Sequence, residues 1–348
     1  MLNNWRFWLS LLISLLFLYW AVGQVRDLGN VADALRQAQY GYLLPALVVY
    51  FVGVWVRTLR WQQLLRPMRD LGSRRLFPVV VIGYMANDVL PARMGELVRA
   101  YVLGQREEMS KSGTLATIVV ERIFDGLAML GFLVAVALFV PVAVALQQLA
   151  WLTAVLFAVL VAAVCAVALR PAWGERLVAL VVRALPARFR LPGERIALAG
   201  LAGLHVMRSA RSVAAVVLLS LLAWLCEAGM YYILALGFFP QVPFYVMLLT
   251  VAVANLGTMI PSSPGYVGTF DALAVFTLGL FGIGSELALG YTAVLHAALI
   301  VPVTLLGFFY LWRENLSLTG LRRAPAAEYG KRDELTASAV EKGCAHRV

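Results

Sequence analysis

The feature that most limits how this chain can fold is an apolar run broken in its middle by polar, kinked and charged residues. Residues 83–99 read GYMANDVLPARMGELVR and follow directly on the apolar stretch 76–82. They carry Asn87, Asp88, Pro91, Arg93, Gly95, Glu96 and Arg99, too polar for a lipid-facing helix and too apolar at the flanks for a loop. Irregular backbone at membrane depth is tolerated only where it is buried in protein or lines a cavity. A second break, residues 255–271 (NLGTMIPSSPGYVGTFD), brings Asn255, Pro261, Pro264, Gly265, Gly268 and Asp271 into the second half of the chain. Gly/Pro-interrupted segments at corresponding places in two halves mark the binding site of inverted-repeat transporters.

A membrane setting follows from composition. Of the 348 residues, 62% are hydrophobic and only 14% charged, and the mean hydropathy is +0.82. A soluble domain has about half its residues apolar and about a quarter charged. The net charge of +10 does not point to nucleic acid, because the arginines sit in short loops beside apolar runs, as the positive-inside rule requires. Cys165 and Cys226 lie inside apolar runs and Cys344 in the polar tail, so no disulfide framework is expected. His205, His296 and His346 are not clustered with other ligating residues, so no metal or other cofactor is expected.

Charge placement orders the spans. Residues 7–23 are read as a retained first span in preference to a cleaved leader, and residues 42–65 as a second span that ends with Arg57, Arg60 and Trp61. Arg66, Arg69, Arg74 and Arg75 make the next loop cytoplasmic. The first broken segment, 76–104, has cationic flanks at both ends, which predicts a re-entrant hairpin entering from the cytoplasm. Residues 114–140 and 150–169 are spans three and four, and the Arg-rich loop 170–211 is cytoplasmic, with residues 173–185 along the interface. Residues 212–238 form span five. The second broken segment, 241–283, has no cationic flank and is expected to dip in from outside, before a last span at 287–312.

The fold expected is therefore all-α: a polytopic inverted repeat of six full spans and two re-entrant hairpins. The first repeat occupies 1–149, the second 150–312, and a polar, disordered cytoplasmic tail 313–348. Both termini are placed in the cytoplasm. A competing count, in which each hairpin is one tilted crossing, gives eight spans.

Half-helices that stop at such breaks leave N–H groups and a positive dipole end pointing into the protein, where an anion is a natural ligand. Arg93 and Arg99 in the first break, with Arg57 and Arg60 ending the neighbouring span, suit bidentate phosphate binding. The alternative is that these arginines reach to lipid headgroups or pair with Glu96 and Glu121. Glu121 and Asp125 share a helical face with Arg122 offset from them by about 100°; pairing with the hairpin arginines and proton transfer are both open to them. Glu227, deep in span five, needs a partner or a cavity. Asp271 fits either a helix cap or a role in substrate or proton handling, and His296 fits a packing residue or a group titrating near neutral pH.

The run Asn87-x-x-Leu90-Pro91-x-Arg93-x-Gly95-Glu96-x-x-Arg99, then Val120-Glu121-Arg122-x-x-Asp125, then Ile260-Pro261-x-x-Pro264-Gly265-x-x-Gly268 resembles the lysylphosphatidylglycerol synthase transmembrane-domain family, over about residues 10 to 315. The resemblance implies a flippase-like, non-catalytic module of a prokaryotic plasma membrane. Its expected partners are membrane lipids, an anionic phospholipid or a polyprenyl-phosphate-linked headgroup, with both hairpins near the site. Bifunctional members carry a soluble synthase domain after the last span; with only a polar tail there, this chain is not expected to aminoacylate lipid. Members commonly have a Gly-Gly pair and a Glu near Asp271, and an Arg near His296, so the headgroup identity does not carry over from the family. A secondary transporter of a small solute and an accessory subunit of a glycolipid pathway are the rival readings. On the flippase reading, Arg93→Ala should abolish transfer of a labelled lipid in proteoliposomes; wild-type rates from that variant would remove Arg93 from the site.

Overall fold

A computed structural model describes residues 5–139 apart from 26 and 91–93, residues 210–314 apart from 259–262, and scattered positions between 155 and 190. The described residues are helical, with no strand among them. The helices are α1 (Trp5–Gly23), α2 (Leu28–Gln37), α3 (Leu43–Leu65), α4 (Ser73–Val89), α5 (Gly95–Glu107), α6 (Lys111–Phe139), α7 (Ala210–Leu236), α8 (Phe244–Gly257), α9 (Thr269–Gly279) and α10 (Ser285–Arg313). Single 3-10 turns, Tyr40–Tyr42 and Pro264–Tyr266, precede α3 and α9. Among the described residues, three stretches are long and apolar enough to cross a membrane: Tyr40–Leu65, Arg211–Leu236 and Ser285–Arg313. α8 and residues 11–23 of α1 are shorter apolar helices. The expected fourth span (150–169), the interfacial stretch 173–185 and the tail beyond 314 lie outside the continuously described residues.

One helix was not expected. Residues 25–41 read as a polar connection, yet they hold α2, whose first turn is capped by Asp27 accepting from the Gly29 amide at 2.7 Å. Ala34 and Leu35 turn its apolar side onto Gly290 of α10. In so short a segment the helical period is masked by its charges, Asp27, Asp33 and Arg36.

Both broken segments fold back on themselves. In the first, Asn87 of α4 meets Gly95 at the start of α5, while Gly83 one turn earlier lies against Arg99 one turn later. In the second, Gly257 of α8 packs on Leu273 of α9, and the turn between them carries Gly265 at φ +70° and Gly268 at φ +91°, left-handed positions that only glycine takes without strain. Ser14 of α1 holds this turn from the side, its hydroxyl accepting from the Ser263 amide at 2.7 Å.

The central contact is α3 against α7. Gly53 meets Cys226 and Ala223, and Val49 meets Gly229, so the two helices run antiparallel, drawn close by small residues. Around them α4 packs on α10 and α8 on α6, α5 on α6 and α9 on α10. Exchanging α3–α6 for α7–α10 converts each of these pairs into another. One continuous apolar core joins α3 through α10.

The approach of α4 to α5 depends on two residues without side chains. A Cβ on Gly83 would overlap the Arg99 side chain, and one on Gly95 would overlap the Gly83 carbonyl and the Asn87 side chain. Gly95→Val should therefore destabilise the protein by about 1–3 kcal/mol, the usual cost of overpacking. The check is thermal unfolding in detergent; an unchanged midpoint would mean that α4 and α5 do not pack here.

Candidate functional site

Every described arginine that the sequence placed at a site is found buried or half-buried beside acids. Arg57 of α3 donates to Glu227 of α7 at 2.5 Å, and its guanidinium lies 4.6 Å from the centre of the Trp224 ring. Arg60, one turn on, donates to Asp125 at 2.6 Å, to Ser220 at 3.1 Å and to Glu121 at 3.4 Å. Arg99 of α5 donates to the other oxygen of Glu121 at 2.8 Å and stacks 4.0 Å above the Trp61 ring. Arg122 reaches Asp125 at 3.1 Å and Glu96 at 3.6 Å. Trp224 joins the groups by donating its indole N–H to Asp125 at 2.8 Å. Four guanidiniums thus face four carboxylates across α3, α5, α6 and α7. Arginine suits this place because a planar fork can serve two acids at once and still stack on an aromatic face.

The helix starts of both hairpins are capped. Asn87 accepts from the Gly95 amide at 2.8 Å at the head of α5, and Asp271 accepts from the Gly268 amide at 2.9 Å at the head of α9. The other oxygen of Asp271 lies 2.7 Å from His296 Nδ1 on α10, and His296 Nε2 lies 2.8 Å from the Gly265 carbonyl. Phe270 covers the imidazole, with ring centres 4.7 Å apart. Across from this pair, Thr304 donates to Asp88 at 2.8 Å, and Asp88 has no cationic partner among the described residues.

These clusters meet at a cavity of about 160 Å³. Its wall takes Asn87 and Asp88 from the first hairpin, Asn255 and Gly265 from the second, Arg57 and Glu227 from the central pair, Arg122 and Asp125 from α6, and His296 from α10. Tyr50, Tyr84, Trp224, Tyr266 and Phe270 supply its aromatic surface. Asn255 bridges cavity and core by donating to Glu227 at 3.1 Å.

Of the residues singled out from sequence, Arg57, Asn87, Arg122, Asp125, Glu227, Asn255 and Gly265 line the cavity. Arg60, Arg99, Glu96 and Glu121 stand behind it in the ion-pair cluster, Gly95 and Gly268 carry the capped amides, Asp271 backs His296, and Pro264 opens the second turn. Pro91, Arg93 and Pro261 lie outside the described residues. Glu121 pairs with Arg99 of the hairpin, as read from sequence, whereas Asp125 pairs with Arg60 of α3 and Arg122 of its own helix and with no hairpin arginine among the described residues. Asp271 is a cap and more than a cap. Tyr50, Tyr84, Asp88 and Trp224 were not foreseen as cavity residues, and His296 was read as a lone histidine. No spacing signals the His296–Asp271 contact, which joins two helices twenty-five residues apart.

A sequence model described as the lysylphosphatidylglycerol synthase TM region matches residues 7–307. Similar curated proteins include a UPF0104 membrane protein of Methanothermobacter thermautotrophicus, 27% identical over 76% of this chain and 83% of the relative. A second from the same organism is 26% identical over 87% of this chain and 91% of the relative. Glycosyltransferase AglD of Haloferax volcanii is 30% identical over 81% of this chain, which spans only 50% of that protein. No solved structure matches.

The Arg57–Glu227 pair ties the two central helices with both side chains under a tenth exposed. Removing one partner of a buried pair leaves an uncompensated charge, at a cost of about 3–5 kcal/mol, whereas replacing both by apolar groups is often neutral. Glu227→Leu should therefore destabilise strongly and Arg57→Met with Glu227→Leu should recover most of the loss, measured by SDS unfolding in mixed micelles. Equal losses in single and double variants would show that the pair does not act as a unit.

Proposed function

The chain belongs to the lysylphosphatidylglycerol synthase TM-region family, a family of helical membrane proteins, and from that membership we propose that it moves an anionic lipid or lipid-linked headgroup between the leaflets of a prokaryotic plasma membrane. The observation that carries the reading is a cavity walled by both folded-back segments and by the central helix pair. A headgroup that must pass polar surface while its chains stay in lipid needs such an interior, and irregular backbone at that depth needs such a cavity.

In this reading α1, α3, α6, residues 150–169, α7 and α10 are full spans, and the α4/α5 and α8/α9 pairs enter from opposite faces, with both termini in the cytoplasm. The interchangeable helix pairings and the antiparallel α3 and α7 support it, because inverted repeats place corresponding helices in opposite orientation. The repeats would be 1–149 and 150–312.

Among the cations, Arg122 is the one best suited to meet a phosphate. Its side chain is 35% exposed, against 1% for Arg60. Its carboxylate partner Asp125 is also held by Arg60 and Trp224, so Arg122 can turn towards a ligand without stranding that charge. Arg57 shares the wall but is the sole cation on Glu227 among the described residues. Arg60 and Arg99 then act as supports that hold the acids in place. No bond-making step is assigned to this site.

A second reading has one observation of its own. The match to a protein named as a glycosyltransferase, over half of that protein's length, supports service to a glycolipid pathway, with a lipid-linked sugar phosphate as cargo. Both readings share the phosphate. Arg122→Ala should slow transfer of a fluorescent anionic phospholipid in proteoliposomes by about tenfold or more, the loss of one charge-assisted hydrogen bond. Unchanged rates for both a phospholipid and a polyprenyl phosphate would remove Arg122 from the path.

A further inference from the structure

His296 sits between two acceptors. Its Nε2 faces the Gly265 carbonyl at 2.8 Å, and a carbonyl can only accept, so that nitrogen carries a proton. Its Nδ1 faces Asp271 at 2.7 Å, while the second oxygen of that carboxyl already accepts from the Gly268 amide. A neutral imidazole with its proton on Nε2 would set a lone pair against a carboxylate at that distance. The contact therefore holds a further proton, on Nδ1 or on Asp271, and the pair as a whole is neutral. Losing that proton to water in the cavity leaves the pair with one negative charge and two lone pairs opposed, both side chains being 10% exposed.

What this proton holds is the tip of the second hairpin. Gly265 is its left-handed turn and Asp271 its capping residue, and among the described residues His296 is what hydrogen-bonds both to α10. The same helix carries Thr304, eight residues on and so about 12 Å along the axis, which donates to Asp88 of the first hairpin. α10 is thus the rod to which both hairpins are hydrogen-bonded. We propose that His296 and Asp271 form a proton-binding site, and that proton and anionic headgroup occupy the cavity together, as in symport.

The charges facing the site agree with that pairing. From α4 comes Asp88, without a cation among the described residues; from α7 comes Glu227, matched by Arg57 of α3; from α6 comes Asp125, matched by Arg60 and Arg122. Tyr50, Tyr84 and Tyr266 contribute phenol side chains, and Asn255 of α8 an amide. With the His296–Asp271 pair neutral, Asp88 is the one acid without an ion-pair partner in this described wall. Deprotonating the pair adds a negative charge beside it, and a phosphate is repelled. Proton binding thus both fastens the hairpin tip and admits the anion.

The inference rests on the translocation reading for its cargo but not for the proton site, and two measurements separate them. Val267, beside the turn, is 42% exposed. In a Val267→Cys variant whose native cysteines are replaced by alanine, maleimide labelling in detergent, divided at each pH by the rate of the same cysteine in the unfolded protein to remove the thiol's own ionisation, should rise with pH, by up to about tenfold per pH unit for a single proton. His296→Gln and Asp271→Asn should make this ratio independent of pH. A flat wild-type ratio, or the same slope in the His296→Gln protein, overturns the proton site; the first of these needs no change to the pair itself. In proteoliposomes, acidifying the side that donates the labelled phospholipid should accelerate its transfer. Transfer indifferent to the gradient overturns symport and leaves translocation standing. No transfer at all, beside pH-dependent labelling, removes translocation and symport and supports the proton site.

Discussion

The four buried or half-buried guanidiniums and their four carboxylates fix the relation of α3, α5, α6 and α7, and the remaining helices are placed around them. A charge in a membrane interior is costly unless it is paired or faces water. Each acid here is therefore a constraint on where its partner helix can lie. Glu121 draws α5 towards α3 by accepting Arg99 on one oxygen and Arg60 on the other. Asp125 adds α7 through Trp224. Lipid supplies no hydrophobic drive between apolar helices, so close packing and polar links have to set their arrangement.

Small residues let those links form. Gly53 allows α3 against α7, and Gly83 with Gly95 allows α4 against α5, which brings Arg99 to Glu121. The hairpins are then anchored at their tips by different means. The first is closed by a neutral amide cap, Asn87 on Gly95, and reaches α10 through a hydroxyl on Asp88. The second is fastened by a histidine whose two contacts require a proton. A cavity whose back wall is a rigid, charge-matched cluster and whose rim depends on a proton has one part built to stay and one built to change.

The same geometry separates roles that residue type alone does not. Arg60 and Arg122 both pair with Asp125, yet one is enclosed by Ser220 and Glu121 and the other opens onto the cavity. Asp88 and Asp271 are both acids in hairpins, yet one meets a hydroxyl and the other an imidazole and an amide. At each helix start that the breaks create, one amide is held by a side chain of the protein itself, Gly95 by Asn87 and Gly268 by Asp271.

Composition and interruption alone determined that this is a helical membrane protein with two broken segments, since apolar length and misplaced Pro, Gly and Asn are local properties that no tertiary contact is needed to read. The motifs around Asn87, Glu121 and Gly265 likewise carried the family. The short helix α2 escaped because its charges hide its period. Which arginine faces the cavity, that Glu227 meets Arg57 rather than another cation, and that His296 is no lone packing residue were decided only by tertiary structure. Each depends on a distance between helices far apart in the chain, such as the 170 residues between Arg57 and Glu227, and sequence spacing does not encode a distance of that kind.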